Sequence, residues 1–291
     1  MIKTAVIGAS GFIGRHLWQS YRTAFPDAVG TSFSTADSCL TSFDIRDPDL
    51  ASLRLEATGH RAVIIAAAES NVAFCERNRE AAYAVNVAGT LELIRQISRT
   101  SLQVIFLSSD YVFEGTAGSY DDDAPANPTT EYGRQKVLIE QQIAALAENH
   151  LVLRLSKTFG LRRGDGTILD EMAATLTAGR DLAAAADQFF CPTSVRDVVA
   201  AVHAIQQRKL TGTVNICSSE VWSRFAIASA VARALHVASA RVRQVSLHDL
   251  CDMQDRPLNT SMRCSRLQAN TAATFTPLAD AIARVAANWK L

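Results

Sequence analysis

Tyr132 and Lys136 stand four residues apart in the run Tyr132-Gly133-Arg134-Gln135-Lys136. On a helix that spacing puts both side chains on one face. An ammonium beside a phenol favours the phenolate and draws a tyrosine pKa down from about 10 toward working pH. Such a tyrosine can hand a proton to a carbonyl oxygen while a hydride arrives at the carbon. Alone, a Tyr/Lys pair at this spacing is ordinary surface decoration. It gains meaning from Ser108-Ser109-Asp110, which follows the apolar run Val104 to Leu107. Ligands of open α/β sheets bind outside the C-terminal strand ends, so Ser109 can hydrogen-bond the same oxygen. Ser109, Tyr132 and Lys136 are therefore the candidate catalytic residues.

A hydride needs a carrier, and the first residues of the chain supply a cradle for one. Gly8-Ala9-Ser10-Gly11-Phe12-Ile13-Gly14 follows a short apolar run and opens an amphipathic stretch. Gly8 permits a tight turn. Gly11 lets the backbone approach a pyrophosphate at the free N–H groups of a helix start, and Gly14 lets helix and strand pack closely. A glycine turn so placed points to a dinucleotide. An acid about 20 residues on, at the end of the second strand, would hold a ribose 2′-hydroxyl. Here that end reads Gly30-Thr31-Ser32-Phe33-Ser34, without an acid. Ser32, with Arg15 behind the last glycine, can take a 2′-phosphate. NADP is the expected cofactor, with NAD as the other option. Gly8, Ser10, Gly11, Phe12, Ile13, Gly14 and Arg15 are its candidate contacts, and Lys136 beside Tyr132 is expected to touch the nicotinamide ribose.

Short apolar runs alternating with helical periods position these groups. The runs are Ala5 to Ile7, Ala28 to Ser32, Ala62 to Ala66, Leu102 to Leu107, Leu151 to Leu155 and Thr213 to Ile216. Helical spacing covers Phe12 to Tyr21, Asn71 to Arg99, Thr130 to Glu148, Val195 to Gln207, Trp222 to Ala234 and Thr276 to Trp289. This alternation predicts an α/β fold, a doubly wound parallel sheet of the Rossmann type covered on both faces. Residues 1–160 are expected to form the dinucleotide-binding half, with 194–217 returning to its sheet. Residues 161–193 and 218–291 are expected to form a smaller substrate-binding lobe. Ser194-Val195-Arg196-Asp197 fits a capping box at a helix start.

Composition narrows the partners. The chain has 291 residues, enough for a full core, with 48% hydrophobic and 20% charged residues, which excludes a disordered chain. Lys plus Arg equals Asp plus Glu at 29 each, so there is no electrostatic footprint for nucleic acid or an anionic membrane. No stretch approaches the roughly 20 apolar residues of a membrane span, and the N-terminus lacks a signal-peptide core. The six cysteines form no C-x-x-C pair and no zinc spacing, so reduced thiols in the cytoplasm and no metal site are expected. The six histidines are scattered and none reads as a ligand. Asp121-Asp122-Asp123 reads as a solvated turn, Ala183 to Ala186 as a small-residue packing segment, and Arg162-Arg163 as exposed loop charges or a grip on a diphosphate.

The glycine turn with Ser109 and Tyr132-x-x-x-Lys136 resembles the extended short-chain dehydrogenase/reductase family, and longer stretches resemble its dTDP-4-dehydrorhamnose reductase group. Asp44-Ile45-Arg46-Asp47 is similar to that group's adenine-contacting turn, which adds Asp44 and Ile45 to the cofactor contacts. Ala66-Ala67-Ala68-Glu69-Ser70-Asn71-Val72 and Glu76 resemble its cofactor-side loop, adding Ala66, Ala67 and Ala68. Val85-Asn86, Ser108 to Gly115, Asp187-Gln188, Pro192-Thr193 and Arg256-Pro257 resemble further segments, so the likeness runs through nearly the whole chain.

The resemblance implies NAD(P)H-dependent reduction of a 4-keto nucleotide sugar in polysaccharide biosynthesis, by a cytoplasmic enzyme for which a homodimer is one candidate assembly. It makes Asp110 a candidate sugar contact. Ser109 stands where the group has Thr, Glu69 where an aromatic is usual, and Ala73 where an Asp is usual. Lys157, in Leu153-Arg154-Leu155-Ser156-Lys157, replaces a Trp on the substrate side, so a cation that can meet a diphosphate or a sugar carboxylate stands where a stacking ring would be. Two other readings share these residues: an epimerase or dehydratase on the same fold, and a cofactor-binding regulatory subunit like that of methionine adenosyltransferase.

Overall fold

In a computed structural model that describes residues 1–33, 37–250 and 256–289, the short apolar runs lie side by side. Strand β1 spans Thr4–Ile7, β2 Thr31–Ser32, β3 Thr41–Ser42, β4 Ala62–Ile65, β5 Gln103–Ser109 and β6 His150–Leu155. Further along come β7 (Thr158–Phe159), β8 (Leu182–Ala185), β9 (Phe189–Phe190), β10 (Thr193–Ser194), β11 (Gly212–Ile216), β12 (Trp222–Ser223) and β13 (Val242–Val245). The main sheet has the order β1-β4-β5-β6-β11, and all its pairings are parallel. Beyond β1 lies β2, joined through a bridge between Val6 and Gly30 and paired with β3. The winding therefore reverses between β1 and β4. A ligand crevice opens at such a switch point, outside the C-terminal strand ends.

The helices are α1 (Phe12–Ala24), α2 (Val72–Arg77), α3 (Arg79–Tyr83), α4 (Thr90–Ser98), α5 (Glu131–Leu146), α6 (Ile168–Thr177), α7 (Val195–Gln207), α8 (Arg224–Ala234), α9 (Leu247–Leu250), α10 (Ser265–Asn270) and α11 (Leu278–Trp289). Strand residues alternate between two cores. Val6, Ile64, Ile105 and Leu153 face α1 and α7, where Leu17, Trp18, Val198, Val202 and Ile205 pack. Ile7, Val63, Phe106 and Val152 face α4 and α5, meeting Leu93, Ile97, Ile139 and Ile143. Burial on both faces explains why these strands read as unbroken apolar runs. A third core joins Phe159 of β7 with Met172, Ile227, Val231 and Ile282 from α6, α8 and α11. It sits apart from the main sheet, while β11 pairs with β6 within it.

Several elements depart from the sequence pattern. The expected strand Ala28 to Ser32 shortens to β2, and Ser34 lies outside the described residues. The helix expected over Asn71 to Arg99 is broken into α2, α3, a π-helical turn at Ala84–Gly89, and α4. The wide turn carries Asn86, which accepts from the Glu69 N–H (2.8 Å) and donates to Gln135 Oε1 (2.8 Å). Gly89 is required there, since a Cβ would fall 2.0 Å from the Ile45 carbonyl oxygen. Trp222 and Ser223 are strand, and Ser223 caps α8 by accepting from Ala226 N–H at 3.1 Å. The last helix starts at Leu278 rather than Thr276.

The capping box at Ser194 is half formed. Ser194 Oγ accepts from Arg196 N–H (3.3 Å), but Asp197 turns away to hold Thr276 N–H at 2.7 Å. Ala183 to Ala186 is mainly strand, because β8 pairs with β13. The aspartate run is a turn with Asp121 and Asp123 exposed, as expected, but Asp122 departs from that reading. Asp122 is buried and accepts from the N–H groups of Asn215 (2.7 Å) and Arg266 (3.0 Å), pinning its loop to β11 and α10. Sequence does not show which of three consecutive acids meets backbone donors.

Candidate active site

The glycine turn and the Ser, Tyr and Lys positions meet at the C-terminal edge of the sheet. Gly8 has φ +90°, and a Cβ there would fall 2.5 Å from Ala67 N, so β1 and the segment after β4 touch backbone to backbone. Gly14 approaches the Gly8 carbonyl oxygen equally closely, since a Cβ would lie 2.2 Å from it. Gly11 is different. A Cβ there would meet only Gly8 O, at 3.5 Å, so its face is open toward the cleft. The cleft encloses about 370 Å³ and is lined by Gly8, Ser10, Gly11, Thr31, Ser32, Phe33, Asp44, Ile45, Arg46, Ala66, Ala67, Ala68 and Glu69, among others.

An open glycine at a helix start beside a narrow cleft fits a dinucleotide pyrophosphate. Phe12, Ile13 and Gly14 form the first turn of α1 below it. Arg15 does not line the cleft; its Nη2 lies 3.8 Å from Asp165 Oδ1. A larger hollow of about 650 Å³, lined by Arg54, Glu56, Gln96 and Arg99, lies by the start of β5 at the opposite end of the sheet.

Helix α5 presents Tyr132 and Lys136. Thr130 caps it, its Oγ1 accepting from Gly133 N–H at 3.2 Å. Gly133 lets the helix start sit against the backbone of Tyr111, where a Cβ would lie 2.2 Å from the carbonyl oxygen. Tyr132 thus stands beside Ser109, whose hydroxyl favours the phenolate. Burial outweighs this and raises the Tyr132 pKa, with the Asp110 charge adding to the rise. This reverses the expected lowering by Lys136. The Lys136 Nζ donates to the Leu107 carbonyl (2.9 Å) and lies 5.6 Å from the centre of the Tyr132 ring. Tyr132 is therefore held neutral, the form that can donate a proton. Burial pulls the Lys136 pKa down to about 8, against the opposing Glu140 charge.

Ser109 Oγ donates to Asp110 Oδ1 (3.0 Å) and accepts from Tyr111 N–H (3.2 Å). Asp110 is 5% exposed, and its other oxygen accepts from Thr260 Oγ1 at 2.8 Å. Burial pushes its pKa up to about 6 despite those donors. Lys157, just past β6, keeps solvent access at the rim. The protein around it, and next the Arg224 charge, hold its pKa below the usual lysine value, while Asp110 and Glu171 oppose. Arg224 is anchored through Nε to Gln188 Oε1 at 3.0 Å. Arg163 stacks on Trp289 at 4.2 Å, and the Arg162 N–H donates to Asp165 Oδ2 at 2.9 Å.

Sequence reasoning missed three supports. Glu140 sits behind Lys136 and takes a fork from Arg154 (Nη2–Oε2 2.7 Å), both side chains under one-tenth exposed. Ser108 Oγ also donates to it at 2.5 Å. The signal was legible, because Glu140 follows Lys136 by four residues. Thr260 had none, lying 150 residues from Asp110. Arg46 lies in the Asp44-Ile45-Arg46-Asp47 turn and lines the cleft as a cation, a direction that no local sequence signal gives.

A family model described as the RmlD substrate binding domain matches residues 2–290. The chain belongs to that family. Among the relatives of this RmlD-family chain is the probable low-salt glycan biosynthesis reductase Agl14 of Haloferax volcanii, 27% identical over 97% of this chain and 96% of that protein. Another is methionine adenosyltransferase 2 subunit beta of Danio rerio, 25% identical over 96% and 88%. The structure of dTDP-4-dehydrorhamnose reductase from Bacillus anthracis in complex with NADP superposes with a TM-score of 0.83 at 22% identity, covering 98% of each chain. That likeness carries the fold. Among the described residues no helix is long and apolar enough to cross a membrane, and no cluster of His, Cys, Asp and Glu could hold a metal ion. Of the cysteines described, Cys39 is exposed and Cys75, Cys191, Cys217 and Cys264 are buried free thiols; Cys251 lies outside the described residues.

Proposed function

We propose that the chain is an NAD(P)H-dependent reductase of a 4-keto nucleotide sugar, acting in the cytoplasm. The observation that carries this reading is the convergence of Ser109, Tyr132 and Lys136 at the C-terminal end of β5, with the Lys136 ammonium 5.6 Å from the Tyr132 ring centre and the Ser109 hydroxyl beside the phenol, in a chain whose glycine turn opens a cleft at the end of β1. The bound reduced nicotinamide supplies the hydride. Gly8, Ser10, Gly11, Phe12, Ile13 and Gly14 hold its pyrophosphate, while Ser32, Asp44, Ile45, Ala66, Ala67 and Ala68 hold the adenosine end and the central cleft. Tyr132 gives its proton to the oxygen at C4 as negative charge develops there. Ser109 donates to the same oxygen once its hydroxyl turns from Asp110. Lys136 holds the nicotinamide ribose and offsets charge left on Tyr132. Asp110 contacts the sugar, and Lys157 meets a phosphate or carboxylate of the substrate.

The likeness to an adenosyltransferase subunit favours one second reading, a cofactor-binding regulatory protein. Purified protein mixed with NADPH and a panel of 4-keto nucleotide sugars separates the two. Loss of NADPH absorbance with formation of the 4-hydroxyl sugar supports the reductase. Cofactor binding without turnover of any member supports the regulator.

A further inference from the structure

At the end of β2, where a carboxylate would select a ribose 2′-hydroxyl, the chain places Ser32 and Phe33. Phe33 is 62% exposed, and the Arg46 guanidinium lies over its ring, 4.5 Å from the centre. Arg46 comes from the turn after β3, so two separate segments converge on one wall of the cleft. Its Nε and Nη2 fork onto Asp44, at 2.9 Å to Oδ1 and 2.7 Å to Oδ2. Nη1 makes no hydrogen bond to another described residue, and the side chain is 48% exposed. The ring below and the carboxylate beside it fix the plane of the guanidinium before any ligand arrives. A planar, pre-oriented guanidinium with a spare N–H edge suits a phosphate monoester.

We infer that Arg46, braced by Asp44 and stacked on Phe33, is the subsite for the ribose 2′-phosphate and sets the preference for NADPH over NADH. The inference does not depend on which sugar is reduced, or on whether any is. The alternative cation, Arg15, lies outside the cleft lining and is drawn toward Asp165. Asp44 gives the device its direction. With Arg46 in place its charge is matched; without Arg46 it stands as a bare carboxylate on the wall, repelling a 2′-phosphate while leaving a 2′-hydroxyl unpenalised.

The test is binding, measured on the full chain by fluorescence titration with NADPH and with NADH. A charge-assisted contact to phosphate is worth about 10- to 100-fold in affinity. Arg46→Thr should weaken NADPH by that factor and leave NADH within about threefold, because the two ligands share every other contact. Raising ionic strength should narrow the wild-type preference, as expected for a half-exposed charge pair. Arg15→Ala should move both affinities together and keep their ratio. Equal losses of NADPH and NADH in Arg46→Thr would mean that Arg46 acts only through Asp44 on the shared adenosine, and would overturn the assignment. So would a wild-type protein that binds NADH as tightly as NADPH, or a change of ratio in Arg15→Ala alone.

Discussion

Replacing Glu140 by Gln removes one charge from beneath the site and keeps the shape. Arg154 then loses the charge that holds its Nε and Nη2 and keeps a neutral amide oxygen, long contacts to the carbonyls of Asp122 (3.3 Å) and Ala124 (3.4 Å), and the Phe113 ring at 5.1 Å. Both partners are under one-tenth exposed, so solvent cannot take over. Breaking a buried pair by removing one partner costs about 3–5 kcal/mol, chiefly the stranded charge. At roughly 2 °C per kcal/mol for a chain of this size, the melting temperature should fall by about 6–10 °C. The same carboxylate raises the Lys136 pKa, so its loss lets burial pull that value below about 8. The fall of activity with rising pH should therefore begin at lower pH in Glu140→Gln.

Calorimetry gives the first effect, and a pH profile of kcat at saturating cofactor gives the second. The double variant Glu140→Leu/Arg154→Met should lose less than the two single variants summed, because neither charge is left alone. An unchanged melting temperature together with an unchanged alkaline limb would refute the view that this pair supports α5 and charges Lys136.

Tyr132→Phe removes the proton donor but keeps the ring; kcat should fall by about 10²–10⁴-fold while NADPH affinity survives, and near-normal turnover would exclude proton donation by Tyr132. Ser109→Ala should cost about 10²–10³-fold, the loss of one donor to the developing oxyanion, and Lys136→Ala should in addition raise the Kd for NADPH. Lys157→Trp should raise KM for the nucleotide sugar with little change in NADPH affinity, and an unaltered KM would place Lys157 outside the substrate site. In the wild type, turnover should fall as pH rises through about 8, where Lys136 loses its proton. It should change again near pH 6 as Asp110 takes one up on acidification, and Asp110→Asn should remove the acid limb alone.

Local sequence was enough for the sheet because these strands are buried on both sides. An apolar run such as Ala5 to Ile7 has no competing amphipathic reading, and Gly8 between run and helix marks its end. The chemistry of the glycine turn was equally local, since strand end, turn and helix start are consecutive in the chain. Spacing also put Tyr132 and Lys136 on one face of α5, and Glu140, one turn further on, could have been read by the same rule.

Tertiary structure decided whatever depends on a partner distant in sequence. Asp122 became a buried clamp because Asn215 and Arg266 bring N–H groups to it from β11 and α10. The tyrosine pKa rose because folding stripped water from the phenol and brought the Asp110 charge near it, neither of which a four-residue spacing contains. The helix over 71–99 broke because Asn86 had to reach Glu69 and Gln135 while Gly89 met Ile45. Arg15 and Arg46 are both cations close to candidate cofactor residues in sequence. Only the fold turned one toward Asp165 and laid the other over Phe33, since a side chain's direction is set by what packs around it.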